Sequence, residues 1–245
     1  MHPRLIFATA GRVLKQLSHD KRTLALLFVV PCVLLGLLAW IYTDTPRMFD
    51  MIGAPLLGIF PFIVMFLVTS IATLRERSSG TLERLMAMPM GKFDLLLGYA
   101  FAFGLLAIFQ AVIASFFAVH VYGLNIAGPE WFLIVVALVD ALLGTALGLF
   151  TSAFARTEFQ AVQFLPAFIL PQFLLCGLIV PVDALPDVLH DVARCLPLTY
   201  AVDAMQVVAK QATISSSQWH DIAIIVTFGI AAIGLGAATL RRQTK

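Results

Sequence analysis

Charge is scarce in this sequence. Lys, Arg, Asp and Glu supply 12% of its 245 residues, whereas 60% are apolar. A soluble chain of this length needs far more charge to cover its surface, so the bilayer is expected to be the solvent for much of it. Cysteine is scarce as well. The three present, Cys32, Cys176 and Cys195, form neither a disulfide framework nor a metal-ligand spacing, and two lie in apolar runs where a thiol acts as a small hydrophobe. A net charge of +2 suggests no nucleic-acid partner. No polar stretch is long enough to bury a core of its own, which leaves residues 1–245 as a single membrane domain. The first 23 residues hold five Lys/Arg and an interrupted apolar pattern, unlike a cleavable signal peptide. No Ser or Cys has a His arrangement that suggests nucleophilic catalysis. Neither catalytic residues nor a metal site are expected.

Long apolar runs are plentiful. A helical span needs about 20 apolar residues to cross a core of roughly 30 Å. Six segments qualify: 24–42, 52–74, 95–119, 131–155, 161–180 and 222–240. Orientation follows from the cytoplasmic excess of Lys and Arg. With the N-terminus inside, thirteen of the sixteen Lys/Arg fall on cytoplasmic segments, and only Arg47, Arg194 and Lys210 lie outside. Trp40, Trp131 and Trp219 then all sit at outer ends of spans, where indole rings prefer the interface. Both termini are expected in the cytoplasm.

Two segments depart from simple spanning. At 100° per residue, Ile6, Phe7, Ala10, Val13, Leu14 and Leu17 gather on one arc of about 120°, opposite Arg4, Arg12, Lys15 and His19. Residues 1–23 therefore read as an interfacial helix on the inner leaflet, either a basic anchor alone or also part of a docking surface. The outer segment 181–221 contains Pro186, suited to a helix's first turn, and Pro197, which breaks that helix. The apolar stretch that follows covers only about 18 Å, too short to cross. A pair of short helices is expected, packed among the spans and closing something from outside.

The densest charge outside the N-terminus is RERSSGTLERL, residues 75–85. Leu82, Leu85 and Met86 share one helical face, Thr81 suits an N-cap, Glu83 favours the helix N-terminus, and Pro89 ends the helix. Arg75, Glu76, Arg77, Glu83 and Arg84 ring that face. A mere turn needs only a few residues; this loop, 75–94, takes about twenty, and a short amphipathic helix parallel to the membrane is expected within it.

RERSSGTLERLMAMP followed by GKFDLLLG resembles the first cytoplasmic loop of ATP-binding-cassette transporter permeases of the type-2 export family. A second block, CGLIVPVDALPDVLHDVARCLPLTYAVDAM, is similar to that family's outer helical hairpin, with Gly177, Pro181, Pro186, Pro197, Tyr200 and Ala201 at the expected places. ARTEFQAVQ resembles its short loop between the fourth and fifth spans. Tyr99 departs from the pattern, since many relatives carry a Lys after the glycine at 98. The resemblance implies that Glu76, Arg77, Gly80, Thr81, Leu82, Glu83, Arg84, Leu85, Met86 and Pro89 form a coupling helix seated in a cleft of a separate ATPase. It implies two permeases, identical or related, with two ATPases that bind the ATP and Mg. This chain lacks a G-x-x-x-x-G-K-[ST] loop, so it does not hydrolyse ATP by that route.

Asp140 is the one charged residue deep within a span, near the midplane. Leaving it unpaired costs about 2.5–3.5 kcal/mol on insertion scales. Gly144, Gly148 and Ser152 follow at i+4 steps, a stripe for close helix packing. Asp140 either lines a pathway or caps that stripe by bonding a neighbouring helix, with Gln110 as the candidate partner. Gln163 and Gln172 lie on opposite faces of the fifth span beside Pro166 and Pro171. One fits a pathway and the other a backbone carbonyl freed by proline. Export of an amphiphilic, drug-like molecule is the leading expectation, with a lipid or glycan precursor as the alternative cargo. An integral membrane enzyme, an assembly factor and a secondary transporter are the readings from other classes.

Overall fold

The computed structural model describes residues 3–81 and 91–239. Those residues are helical, with no strand among them. In chain order the helices are α1 (Pro3–His19), α2 (Lys21–Ile41), α3 (Pro46–Ser78), α4 (Lys92–Phe116), α5 (Glu130–Thr151), α6 (Glu158–Leu175), α7 (Asp187–Arg194), α8 (Pro197–Lys210) and α9 (Ser216–Thr239). A π-helical turn, Phe117–Val121, extends α4, and a 3₁₀ turn, Val182–Ala184, precedes α7.

Among the described residues, five helices are long and apolar enough to cross a membrane: α2, α3, α4 with its π turn, α5 and α9. The chain is a multi-pass integral membrane protein. α6, expected as the fifth of six spans, is 18 residues long, or about 27 Å. It falls outside that group, because Glu158, Gln160, Gln163 and Gln172 dilute its apolar run. Its boundaries also shift from 161–180 to Glu158–Leu175. Thr157 caps its start by accepting from Gln160 N, and Gly177, at φ +88°, turns the chain away after its end. The left-handed backbone at 177 suits glycine alone among common residues.

The core is a seam between α3 and α5. Asp140 Oδ2 lies beside Gly58, Gly144 beside Phe62, and Gly148 beside Phe66. Both rows step by four and rise together, so the two helices run parallel. A Cβ at 148 would sit 2.6 Å from the Phe66 carbonyl oxygen, and one at 144 would run into that of Phe62. The small-residue stripe is thus used within the chain, and it brings backbone against backbone. α5 ends at Thr151, a turn before the expected 155. Thr151 Oγ1 donates back to Leu147 O at 2.9 Å and Ser152 Oγ to Leu149 O at 2.7 Å, offering carbonyls partners at the helix end.

α8 closes the opposite end of the seam. Its Leu198, Ala201, Val202, Ala204, Met205 and Val208 are buried, and Pro197 starts this helix as well as ending the one before. Gly128 N donates to Val208 O at 2.9 Å and Ala127 N to Ala209 O at 3.1 Å, pinning the α4–α5 connection onto it. α7 differs: only Ala193 is buried, and Val188, Leu189 and Val192 are exposed. Of the expected pair of packed short helices, one packs. Trp131 and Trp219 meet at 6.5 Å between ring centroids, placing the starts of α5 and α9 at this same end.

Gly144→Ala should lower the unfolding free energy by about 1–3 kcal/mol, since neither backbone yields easily. Gly229→Ala on α9, where nothing lies within 4 Å, should be neutral or stabilising. Thermal unfolding of the two variants in detergent decides it, and an unaltered midpoint for Gly144→Ala would remove the seam as the organising contact.

Candidate coupling site

The last turn of α3 carries Arg75, Glu76 and Arg77, and each is tied to a different helix. Arg12 of α1 forks onto Glu76, with Nη1 to Oε1 and Nη2 to Oε2 both at 2.9 Å. Its Nη2 also donates to the Tyr99 hydroxyl of α4 at 2.9 Å. Such bidentate, charge-assisted pairs are the strong class of hydrogen bond. Glu76 is only 5% exposed. It is turned into the protein, where a rim-facing position was expected. Arg12, expected on the solvated arc of α1, reaches across to hold it.

The approach of α1 to α4 makes this possible. A Cβ on residue 98 would lie 2.6 Å from Thr9 Cβ, so only a glycine at 98 lets α1 settle this low. Phe7 then sits edge-on to Phe101 at 5.2 Å. Tyr99, a departure from the resemblance at the sequence level, supplies a hydroxyl and a ring face to Arg12, whose guanidinium lies 5.9 Å from the ring centroid.

Arg77 Nη1 donates to Ser152 O at 3.0 Å, a cation on the last carbonyls of α5. Arg75 donates to Glu158 at 2.7 and 3.1 Å and lies 3.7 Å from Asp20. With Arg75 53% and Glu158 52% exposed, this pair positions more than it stabilises. The Arg75 hydrogen bond holds the Glu158 carboxyl below its usual value. Asp20 is also held low, first by the Thr23 hydroxyl at 2.7 Å and then by Thr23 N at 3.1 Å, as it caps α2. Gly80, at φ +71°, then turns the chain out, and Thr81 Oγ1 lies 3.0 Å from Ser79 Oγ. Leu82, Glu83, Arg84, Leu85, Met86 and Pro89 lie outside the described residues.

Within the bundle, Asp140 is fully buried and neither carboxyl oxygen has a hydrogen-bond partner among the described residues. The expected link to Gln110 is absent, because Gln110 Nε2 donates to Leu27 O of α2 at 2.9 Å. Gln163 is exposed. Gln172 is buried and donates to Phe168 O at 3.0 Å. That carbonyl is one residue beyond Ala167 O, the one that Pro171 leaves unbonded by helix register. In the hairpin, Tyr200 Oη donates to Arg194 O at 2.7 Å and Gln206 Nε2 to Gly177 O at 3.1 Å. Pro181 and Pro186 precede the 3₁₀ turn and α7 as extended residues at ψ 138° and 146°.

Loop, stripe and hairpin thus occur in one chain in a fixed spatial order, and residues 4–209 match the ABC-2 type transporter family. The chain belongs to that family. It is 28% identical over 184 residues to the probable multidrug ABC transporter permease YbhR of Escherichia coli K12, covering 74% of this chain and 50% of that protein. It is 24% identical to ABC transporter G family member 20 of Dictyostelium discoideum, over 65% of this chain and 22% of that protein. The linearmycin resistance permease protein LnrN of Bacillus subtilis is 23% identical over 63% of this chain and 40% of its own length. The chain therefore spans about half the length of YbhR or less of the others. Permease relatives of this ABC-2 family are transport subunits without an ATPase site of their own. The Arg12–Glu76–Tyr99 cluster escaped the sequence reading. Its one sequence signal was Tyr99 itself, a phenol in place of a common lysine.

Arg12→Ala and Glu76→Ala should each destabilise this ABC-2 protein, and their double variant should fall short of additivity by about 0.5–3 kcal/mol. Additive losses in a double-mutant cycle would show that the fork contributes no coupling. For Asp140→Ala, loss of an unpartnered polar group should raise the unfolding midpoint. A lowered midpoint would instead reveal a bond the carboxyl makes in the membrane.

Proposed function

We propose that this chain is the transmembrane subunit of an ATP-driven exporter in a bacterial cytoplasmic membrane. It has six spans, with α6 as the fifth, and both ends in the cytoplasm. Two copies, or one copy and a related permease, pair with two ATPase subunits that bind ATP and Mg. The observation that carries this reading is the rooting of the charged loop. Its entrance, residues 75–77, is tied to α1 and α4 through Glu76, to α5 through Arg77 and to α6 through Arg75.

A solvated turn has no need of such roots. A coupling helix does, because force from an ATPase cleft has to reach the spans without being lost in side-chain rearrangement. On this reading Leu82, Leu85 and Met86 fill the cleft, and Glu83 and Arg84 pair with its rim. Glu76 serves on the membrane side of the joint. Relatives named for multidrug transport and for linearmycin resistance support an amphiphilic, drug-like cargo taken from the cytoplasm or the inner leaflet.

Reconstitution with a candidate ATPase subunit tests the proposal. Glu83→Lys should abolish ATP-driven export and leave membrane insertion intact. Normal export by that variant would remove Glu83 from coupling, and failure of the chain to bind any ATPase subunit would overturn the function.

A further inference from the structure

Beneath the hairpin lies a cavity of about 470 Å³. α8 supplies Asp203 and Gln206, α9 supplies Asp221, and the 3₁₀ turn supplies Asp183. Arg194 is the one Lys or Arg in its lining, and its Nε donates to His190 Nε2 at 3.1 Å. Three carboxylates against one guanidinium and the imidazole of His220 leave the cavity acidic.

Its hydrogen-bonding character is just as one-sided. The Tyr200 hydroxyl donates to Arg194 O, the Thr199 hydroxyl to Ala193 O, both at 2.7 Å, and the Gln206 amide to Gly177 O. These three side chains thus send their protons into backbone carbonyls, and the carboxylate acceptors remain. Asp221 is the clearest of these. It is 8% exposed, lines the cavity, and has no hydrogen bond or ion pair among the described residues. Asp203 has no hydrogen bond there either. Asp183 itself lies 3.9 Å from His190.

We propose that this vestibule binds the cationic head of an amphiphile, an alkylammonium in the simplest case. An ammonium brings several N–H donors and a positive charge, which is what three carboxylates call for. An anion would meet those carboxylates, and a neutral acceptor would leave Asp221 without a donor. The assignment names a cargo class for the exporter. It rests on the export reading only for the delivery of ligand to this end of the bundle; the binding itself does not depend on an ATPase.

The test uses the full chain in lipid nanodiscs, with empty discs subtracted. The probe is dansylcadaverine, a fluorophore with a primary ammonium tail, compared with its neutral N-acetyl derivative. The charged form should bind about tenfold more tightly, the scale of one charge-assisted hydrogen bond. Asp221→Asn and Asp203→Asn should each remove most of that preference, and Asp187→Asn, outside the cavity, should retain it. Asp203 is exposed, so its variant reads the same effect if Asp221→Asn fails to fold. Equal affinity for the two probes, or a preference untouched by both vestibule variants, would overturn the proposal. Ammonium preference in a chain that no ATPase drives would sink the export reading alone. ATP-driven export without any preference for amines would sink the vestibule alone.

Discussion

Everything in this protein is arranged around the contact of α3 with α5. Lipid tails are as apolar as leucine, so two helices in a membrane gain little by hiding hydrophobic surface from them. What holds them is close packing. Gly144 and Gly148 let the α5 backbone rest on the Phe62 and Phe66 carbonyls, and any side chain at those positions separates the helices. Because both rows advance in the same direction, α3 and α5 leave the bundle together. The end of α3 and the 152–157 connection then share one end, as Arg77 on Ser152 O and Arg75 on Glu158 require.

That parallel register places the polar groups. Toward the loop end the seam turns hydroxyl-rich, with Thr69, Ser70, Thr73, Thr151 and Ser152 all buried, and the charged ties of residues 75–77 lie just beyond. Toward the hairpin end it turns apolar, apart from Asp140 beside Gly58 and Met205. A buried, unbonded carboxyl is costly anywhere in a bundle. It stands where α8 enters, one helix away from the acidic vestibule.

Much of the fold could be read from the sequence, because hydropathy and small-residue spacing are local signals. The apolar runs located α2, α3, α4, α5 and α9, and the i+4 glycines pointed to a close helix contact. Their partner was not legible. Nothing local tells Gly144 that Phe62, more than eighty positions earlier, will receive it. The same holds for Arg12 and Glu76, 64 positions apart. Both looked like surface charges, because amphipathic arcs assign polar residues to solvent unless a distant counterion claims them. Gln110 was misassigned for the converse reason: a backbone carbonyl at Leu27 offers no signature in sequence, yet it satisfies an amide as well as Asp140 would. Helix ends slipped by a turn where Thr151 and Ser152 bond back to preceding carbonyls, a choice that hydropathy does not register.

Burial also tells which parts of the bundle are free to move in the proposed cycle. Within the most apolar stretch of each helix, 67% of residues are buried in α3 and 67% in α5, against 22% in α2 and 28% in α9. α3 and α5 cannot slide past one another, because each step would drive a carbonyl into a neighbouring backbone rather than a flexible side chain. On the proposed coupling, a push on the loop received through Glu76 and Arg77 would move the two as one body. Displacement would then be taken up where packing is sparse, along α2 and α9 and the faces they leave exposed. α9 carries Asp221 into the vestibule, while α8 is packed on both the rigid pair and α9. Motion of the pair against α9 would thus reshape the acidic cavity, and on the proposed coupling the contact that does not yield would link loop to vestibule.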